Sequence, residues 1–381
     1  ACVNNGMVYE WPPNLSNRAV VISGAPTKNS FVLVSTPDRH LVCFGTEETI
    51  ATPATFDPML VRWSETEDDT TWVATATNTA GSQRLTDGNY LSTAIRSRGQ
   101  ILVFTDNALY GMQFLGVPYT FGFQQLGTNC GSISNNAAVD VNGVAYWMSP
   151  DSFFTFDGTV KKVPCSVQDA VFQNYNYVQS SLIYGGLNTE FNEVTWFYPT
   201  LNSNVIDAYV TYNYLENCWY QGTMARTTWR DRGVYQLPIA TEWDPNSTTD
   251  AYPSVSGLTA GVSIVYSQEY GANGNGNAIS SFVESAFFDL ADGDDISFVK
   301  RIVPDFSSQV GTLNFYVVSR AFAVPPDQVS SLTPYYFTST TQKIDTRIRG
   351  RAISLKIVSS AVDDKWRLGS IRLDIQPDGK R

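Results

Sequence analysis

The sequence predicts an all-β protein, a β-propeller with a blade period of about 40–50 residues followed by a β-sandwich-like module. Composition is the first observation behind this: 20 Tyr, 21 Phe and 9 Trp stand among frequent Thr, Val, Ser, Asn and Gly, residues suited to half-buried pleats and tight turns. The second is that no window carries apolar residues at helical spacing over three turns. The third is internal repetition. "AIRSRGQILVFTDNALYGMQF" from Ala94 and "AVDVNGVAYWMSPDSFFTFDG" from Ala138 each read as strand, glycine turn, apolar strand, polar turn and aromatic strand, with Gly99 and Gly143 44 residues apart.

Weaker copies flank this pair. "FVLVSTPDRHLVCFG" from Phe31 repeats a strand, turn and strand around Asp38, and "EVTWFYPTLNSNVIDAYVTYNY" from Glu193 does so with a longer turn. "GVSIVYSQEYG" from Gly261 reads as one copy more, and the blade number stays open. The character changes near Ile279. "FVKRIVPDF", "GTLNFYVVSRAF" and "DTRIRGRAISLKIVSS" are longer alternating strands, as in a half-solvated antiparallel sheet. The predicted division is therefore a propeller over 1–278 and a basic sandwich-like module over 279–381, with "GANGNGN" at 271–277 as a flexible boundary.

Charge and chemistry narrow the function. The net charge is −11, yet 340–381 holds 10 Lys+Arg against 5 Asp+Glu, leaving 15 against 31 before it. So acidic a body is unsuited to wrapping nucleic acid, which needs cations to displace counterions. His40, the only histidine, leaves little room for a Ser-His-Asp site or a histidine zinc site, and it is placed at a hairpin rim. Five separated cysteines suggest free thiols. "DLADGDD" from Asp289 lacks the ligand spacing of a calcium loop and reads as a polar turn. No catalytic residue, metal site or cofactor is assigned. The chain opens on Ala1 without a leader, and further upstream residues are expected. The sequons at Asn14 and Asn246 are read as chance patterns, and no run is long enough to span a membrane.

A glycosidase needs two facing carboxylates, and Glu190, Glu193, Glu242 and Asp244 are candidates that the sequence gives no reason to pair. "RWSETEDDTTWVAT" from Arg62 loosely imitates the Ser-x-Asp-x-Gly-x-x-Trp aspartate box of sialidase propellers, through Ser64, Asp68, Asp69 and Trp72, but has a longer gap and no Gly. Together with "GTNCGSISNNAAVDVNGVAYWMSPDSFFTFDG", "ARTTWRDRGVYQLPIA" and the closing "DKWRLGSIRLDIQPDGKR", that stretch resembles the tail nozzle proteins of short-tailed bacteriophages over about Arg62–Arg381.

The resemblance implies a structural subunit of a virion tail rather than an enzyme. It implies a homohexameric ring beneath the portal and its adaptor protein, assembled in the host cytoplasm. Such a ring would form an acidic channel that retains and conducts genomic DNA without sequence-specific binding, and would carry a tail fibre or tailspike and a needle. Glu65, Glu67, Asp68 and Asp69 are the candidate channel lining, since carboxylates repel phosphate, with ordinary solvated turns as the plainer reading. Arg347, Arg349 and Arg351, which alternate along one strand, and Arg367 are candidates for an intersubunit or adaptor interface, with intrachain ion pairs as the plainer reading. The alternative function is a glycan-binding or glycan-hydrolysing propeller. A nucleic-acid module, with the Arg strand on phosphates and Tyr335 and Tyr336 stacking on bases, is the third class weighed.

Overall fold

A computed structural model describes residues 2, 4–14, 16–36, 38–244, 262–290, 293–322, 328–329 and 334–379. The sequon at Asn246 and part of the acidic turn after Asp289 lie outside them. The chain forms two compact units, Ala1–Glu269 and Tyr270–Arg381, so the glycine-rich loop at 271–277 belongs with the second.

The first unit is a propeller. Four antiparallel sheets each run in chain order from the inside out. Blade 1 is Asn29–Ser35, His40–Glu47, Phe56–Trp63 and Gly81–Arg84. Blade 2 is Leu91–Ser97, Gln100–Thr105, Ala108–Gly116 and Thr120–Thr128; blade 3 is Ala138–Val141, Val144–Met148, Phe153–Phe156 and Val160–Val163. Blade 4 is Tyr184–Asn188, Glu193–Tyr198, Ala208–Asn213 and Cys218–Thr223. Blade 5 has three described strands, Thr228–Arg230, Ile239–Asp244 and Val262–Ser267, so the segment read as a further copy is the third strand of this sheet. The first strands of successive blades lie side by side, which makes them the inner strands of the radial arrangement.

Blades of this kind are apolar on both faces, and that explains runs such as Ile101–Phe104. Successive side chains of a strand point to opposite faces. Ile101 and Val103 join a core with Val42, Phe44 and Val61 of blade 1, whereas Leu102 and Phe104 join one with Ala145 and Trp147 of blade 3. A third seam packs Val141, Met148 and Phe153 of blade 3 on Val194, Trp196 and Val210 of blade 4. Two tryptophans at matching places fasten these seams. Trp147 Nε1 donates to Cys130 O at 2.7 Å and Trp196 Nε1 to Ala137 O at 2.8 Å, both in apolar surroundings where an unpaired N–H would be costly.

The inner hairpin turns differ by blade. Gly99 and Gly143 have φ of 77° and 84°, the left-handed region that glycine enters without a Cβ clash, and this is why the repeat shows glycine at both places. His40 is not at an exposed rim. It is fully buried, its Nδ1 2.7 Å from Ser64 O and its Nε2 3.0 Å from Thr66 Oγ1, and its ring meets Phe121 edge-on.

The second unit is the expected sandwich. One sheet contains Ser281–Glu284, Ala352–Ser359 and Leu313–Arg320, with the short strands Phe288–Asp289, Tyr335–Phe337 and Gln328–Val329 attached; another contains Ile344–Gly350, Ser297–Val303 and Arg372–Pro377. Phe315, Val317 and Ile357 of the first pack with Val299, Ile302 and Ile348 of the second, the pattern of two sheets sharing one core. Among the described residues no helix is long and apolar enough to cross a membrane.

Candidate functional site

Each inner strand of the propeller leads into a turn, and these turns gather at one end of the axis. One cavity opens among them and a second beside the inner strands themselves. One, of about 220 Å³, is lined by Ser35 and Asp38 of blade 1, Arg96, Ser97 and Arg98 of blade 2, and Asp140 of blade 3, with Phe114 and Phe121 as an aromatic wall. The other, of about 440 Å³, lies against the inner strands of blades 2 to 5 and is lined by Asn136, Asp140, Tyr184, Trp229, Arg230 and Asp231 among others. Asp140 therefore belongs to both.

Local structure fixes Asp140. It pairs with Ala145 across the blade 3 hairpin, and its Oδ1 accepts the Gly143 N–H at 2.9 Å, closing the turn. Its other oxygen, Oδ2, is buried and has no donor in the protein. The Ser97 hydroxyl is buried without a partner too. Buried polar atoms are nearly always bonded, so two orphans at one pocket mark a place that a ligand could complete. Arg98 lies over the blade 3 turn: a Cβ built on Gly143 would stand 2.4 Å from Arg98 Cγ.

The guanidinium groups here are held by main-chain carbonyls. Arg96 Nε donates to Val34 O at 2.8 Å, bridging blades 1 and 2, and Arg98 Nη1 donates to Asp157 O at 3.1 Å. Across the axis Arg232 pairs with Glu190 at 3.2 Å, and Asp231 Oδ2 accepts the Thr189 N–H at 3.3 Å, which ties the blade 4 hairpin to blade 5.

A carboxylate group lies at that hairpin. Glu193, cross-strand partner of Asn188, is pushed up by burial and by the charges of Glu269 and Glu216, against a hydrogen bond from the Tyr220 hydroxyl. Burial likewise pushes up Glu269, aided by Glu190 and opposed by the Asn188 amide. Glu269 was missed in sequence because it lies 76 positions beyond Glu193, with only the folded chain to join them. Of the other glycosidase candidates, Glu242 is paired with Arg226 at 3.1 Å, and Asp244 ends the second strand of blade 5. Among the described residues no group of three His, Cys, Asp or Glu side chains is placed to hold a metal ion.

The acidic stretch lies in the excursion that joins the outer strands of blade 1. Burial alone would raise the Glu65 carboxyl, but hydrogen bonds from the Thr79 hydroxyl and the Thr79 and Thr66 N–H groups outweigh it and hold it below its usual range. Glu67 pairs with Arg39, Asp68 caps the Thr70 N–H at 2.9 Å, and the Asp69 carbonyl accepts Trp72 Nε1 at 2.6 Å. Glu65 and Asp68 thus fasten their own loop by their carboxylates and Asp69 by its main-chain carbonyl, while Glu67 reaches the inner hairpin turn of blade 1. In the second unit Arg347 and Arg349 do share the solvent face of their strand, with Ile348 buried between them. Arg349 pairs with Asp378 at 2.9 Å; Arg351 follows the strand end and donates to Asp294 O and Ala321 O; Arg367 is exposed on Lys365–Leu368, an edge strand paired with Phe306–Val310. Tyr335 and Tyr336 are on a short strand beside Leu313–Phe315, with Tyr335 half-buried against the core.

No family model matches the chain, and no curated protein does. Solved structures similar to it include the N-terminal domain of Nup159, at TM-score 0.30 and 10% identity, covering 60% of this chain and 55% of that one. An exo-β-1,3-galactanase from Phanerochaete chrysosporium is similar at TM-score 0.32 and 11% identity, over 98% of this chain and 100% of that one. A family 43 arabinoxylan arabinofuranohydrolase from Bacillus subtilis is similar at TM-score 0.26 and 8% identity, over 91% and 94%. The chain thus spans about half the length of the nucleoporin domain.

These neighbours are glycoside hydrolases and a nucleoporin domain rather than tail proteins, and two expectations are corrected on that finding: the tail nozzle subunit, and the absence of enzymatic activity. The stretches behind the nozzle resemblance have local work to do in the fold. The Arg-Trp-Ser segment and its acidic turn close a blade 1 loop, and Trp366 of the Trp-Arg-Leu-Gly-Ser segment packs against the sandwich core. Likeness of this degree carries no activity with it, and a function has to be read from the residues of the site.

Proposed function

We propose that the propeller unit handles glycans, binding a saccharide along its inner strands and their hairpin turns. The observation that carries this is Asp140, a residue that lines both cavities and whose Oδ2 has no donor in the protein. Sugar hydroxyls are the donors such an oxygen lacks, and each can also accept a hydrogen bond, as the orphan Ser97 hydroxyl requires. Phe114 and Phe121 supply an apolar wall for a pyranose face. A cavity of about 440 Å³ lies within the range of small-ligand sites, roughly 300–1,000 Å³.

Asp140 and Asp231 are the carboxylates we assign to cleavage, because both line the axial cavity. In glycoside hydrolysis one carboxyl protonates the leaving oxygen while the other, ionised, attacks the anomeric carbon or activates a water beside it. Calorimetry against a panel of oligosaccharides, with release of reducing ends followed in the same samples, tests the proposal. Binding that Asp140→Asn abolishes, with cleavage lost in Asp140→Asn and Asp231→Asn, is the expected result. A folded wild-type protein that binds no saccharide at millimolar concentration would overturn it.

A further inference from the structure

Four arginines line the two cavities: Arg96 and Arg98 the smaller one, Arg230 and Arg232 the axial one. Arg96, Arg98 and Arg230 are exposed, and none of these three makes an ion pair among the described residues, although the chain carries a net charge of −11. Of the other propeller arginines, Arg39, Arg84, Arg226 and Arg232, the last in the axial cavity itself, each have a carboxylate partner, while buried Arg62 is held by the Glu47 and Glu48 carbonyls. The difference has a physical consequence. A guanidinium bound to a carboxylate is oriented and neutralised, whereas one bound to a carbonyl is oriented and keeps its full charge. Arg96 on Val34 O and Arg98 on Asp157 O are of the second kind, and each retains N–H groups to donate.

From this we infer that the saccharide is anionic, its carboxylate or sulfate groups taken by Arg96 and Arg98 at the smaller cavity and by Arg230 at the axial one, while Asp140 and Ser97 take hydroxyls of the ring. The inference rests on the glycan reading and gives it a substrate class. Arg96 and Arg98 flank Ser97 in sequence, so the cationic and hydroxyl-binding parts of the pocket come from one strand end. A planar guanidinium matches a carboxylate in two parallel hydrogen bonds, and the existing carbonyl contacts reduce the rotamer entropy that binding would otherwise cost.

The test compares ligands of matched length: an oligomer of galacturonic acid, a sulfated galactose oligomer and a neutral galactose oligomer, each titrated into the full chain. At least one anionic oligomer should bind tenfold or more tighter than the neutral one, and which one does so identifies the anion. That advantage should shrink with added salt, and to within about twofold in the triple variant Arg96→Gln, Arg98→Gln, Arg230→Gln. The salt series on the unaltered chain decides the matter if the variant does not fold. Equal binding of all three oligomers overturns the inference and leaves the glycan reading standing. Binding of none removes both.

Discussion

Asn188 donates its side-chain amide to the Glu269 carboxylate at 2.9 Å, joining the end of the blade 4 inner strand to the residue that closes the propeller unit. The same Asn188 faces Glu193 across its hairpin, and its own Oδ1 is buried without a partner. Glu269 holds a left-handed backbone, φ 58°, which a residue with a Cβ adopts only at some cost.

A pH dependence results. Glu193 and Glu269 are both raised above the ordinary glutamate value, 4.5, chiefly by burial and then by nearby carboxylates. The folded chain therefore binds protons more tightly than the unfolded one. The contribution of these two groups is most favourable below about pH 4.5 and declines as pH rises from there through their folded values. Glu269→Gln keeps an acceptor for Asn188 and removes one charge, so thermal melts should show a higher Tm than wild type at about pH 7 and little difference at about pH 4.

Gly143→Ala tests the turn that carries Asp140. An alanine at φ 84° costs about 1–2 kcal/mol, and its Cβ would meet Arg98. Urea unfolding should register that loss, and saccharide binding should weaken beyond what Arg98→Ala alone produces.

Trp147→Phe removes the N–H given to Cys130 O while keeping most of the aromatic packing on Phe104, whose ring lies 5.1 Å away. Leaving that buried carbonyl unsatisfied costs about 1–3 kcal/mol. Denaturant midpoints should fall accordingly, and an unchanged midpoint would mean that the hydrogen bond contributes nothing net.

Arg349→Gln should do little. Its pair with Asp378 is at the surface, where such contacts are worth about 0–1 kcal/mol. Differential scanning should show a small shift that disappears in high salt.

Much of the fold was legible because propeller strands repeat their local rules. Gly99 and Gly143 announced two blades, and the alternation around Ile348 announced the face of a sandwich strand. Blade 5 was less legible, since Trp229 and the neighbouring Thr228 and Arg230 form so short a strand that no alternation can show. The site was hardly legible. Asp140 looks like any hairpin residue in sequence, and its orphan oxygen, like the Glu193–Glu269 proximity, exists only once blades are set side by side. For Glu65 to Asp69 the sequence showed a run of carboxylates, and only the fold shows the local contacts of three of them, Glu65 to Thr79, Glu67 to Arg39 and Asp68 to Thr70.

That same excursion, from Trp63 to Gly81, is tied at its neck. Trp63 Nε1 and Thr120 Oγ1 both donate to Thr79 O, and Glu65 clasps Thr79 from the other side. Beyond the knot, Val73 to Thr77 are exposed and outside the cores. Closure of a longer loop there adds only about 0.6 kcal/mol for each doubling of its length. The tip is thus a tolerant port in the propeller wall, where a reporter sequence or fluorophore could be grafted without disturbing the knotted neck.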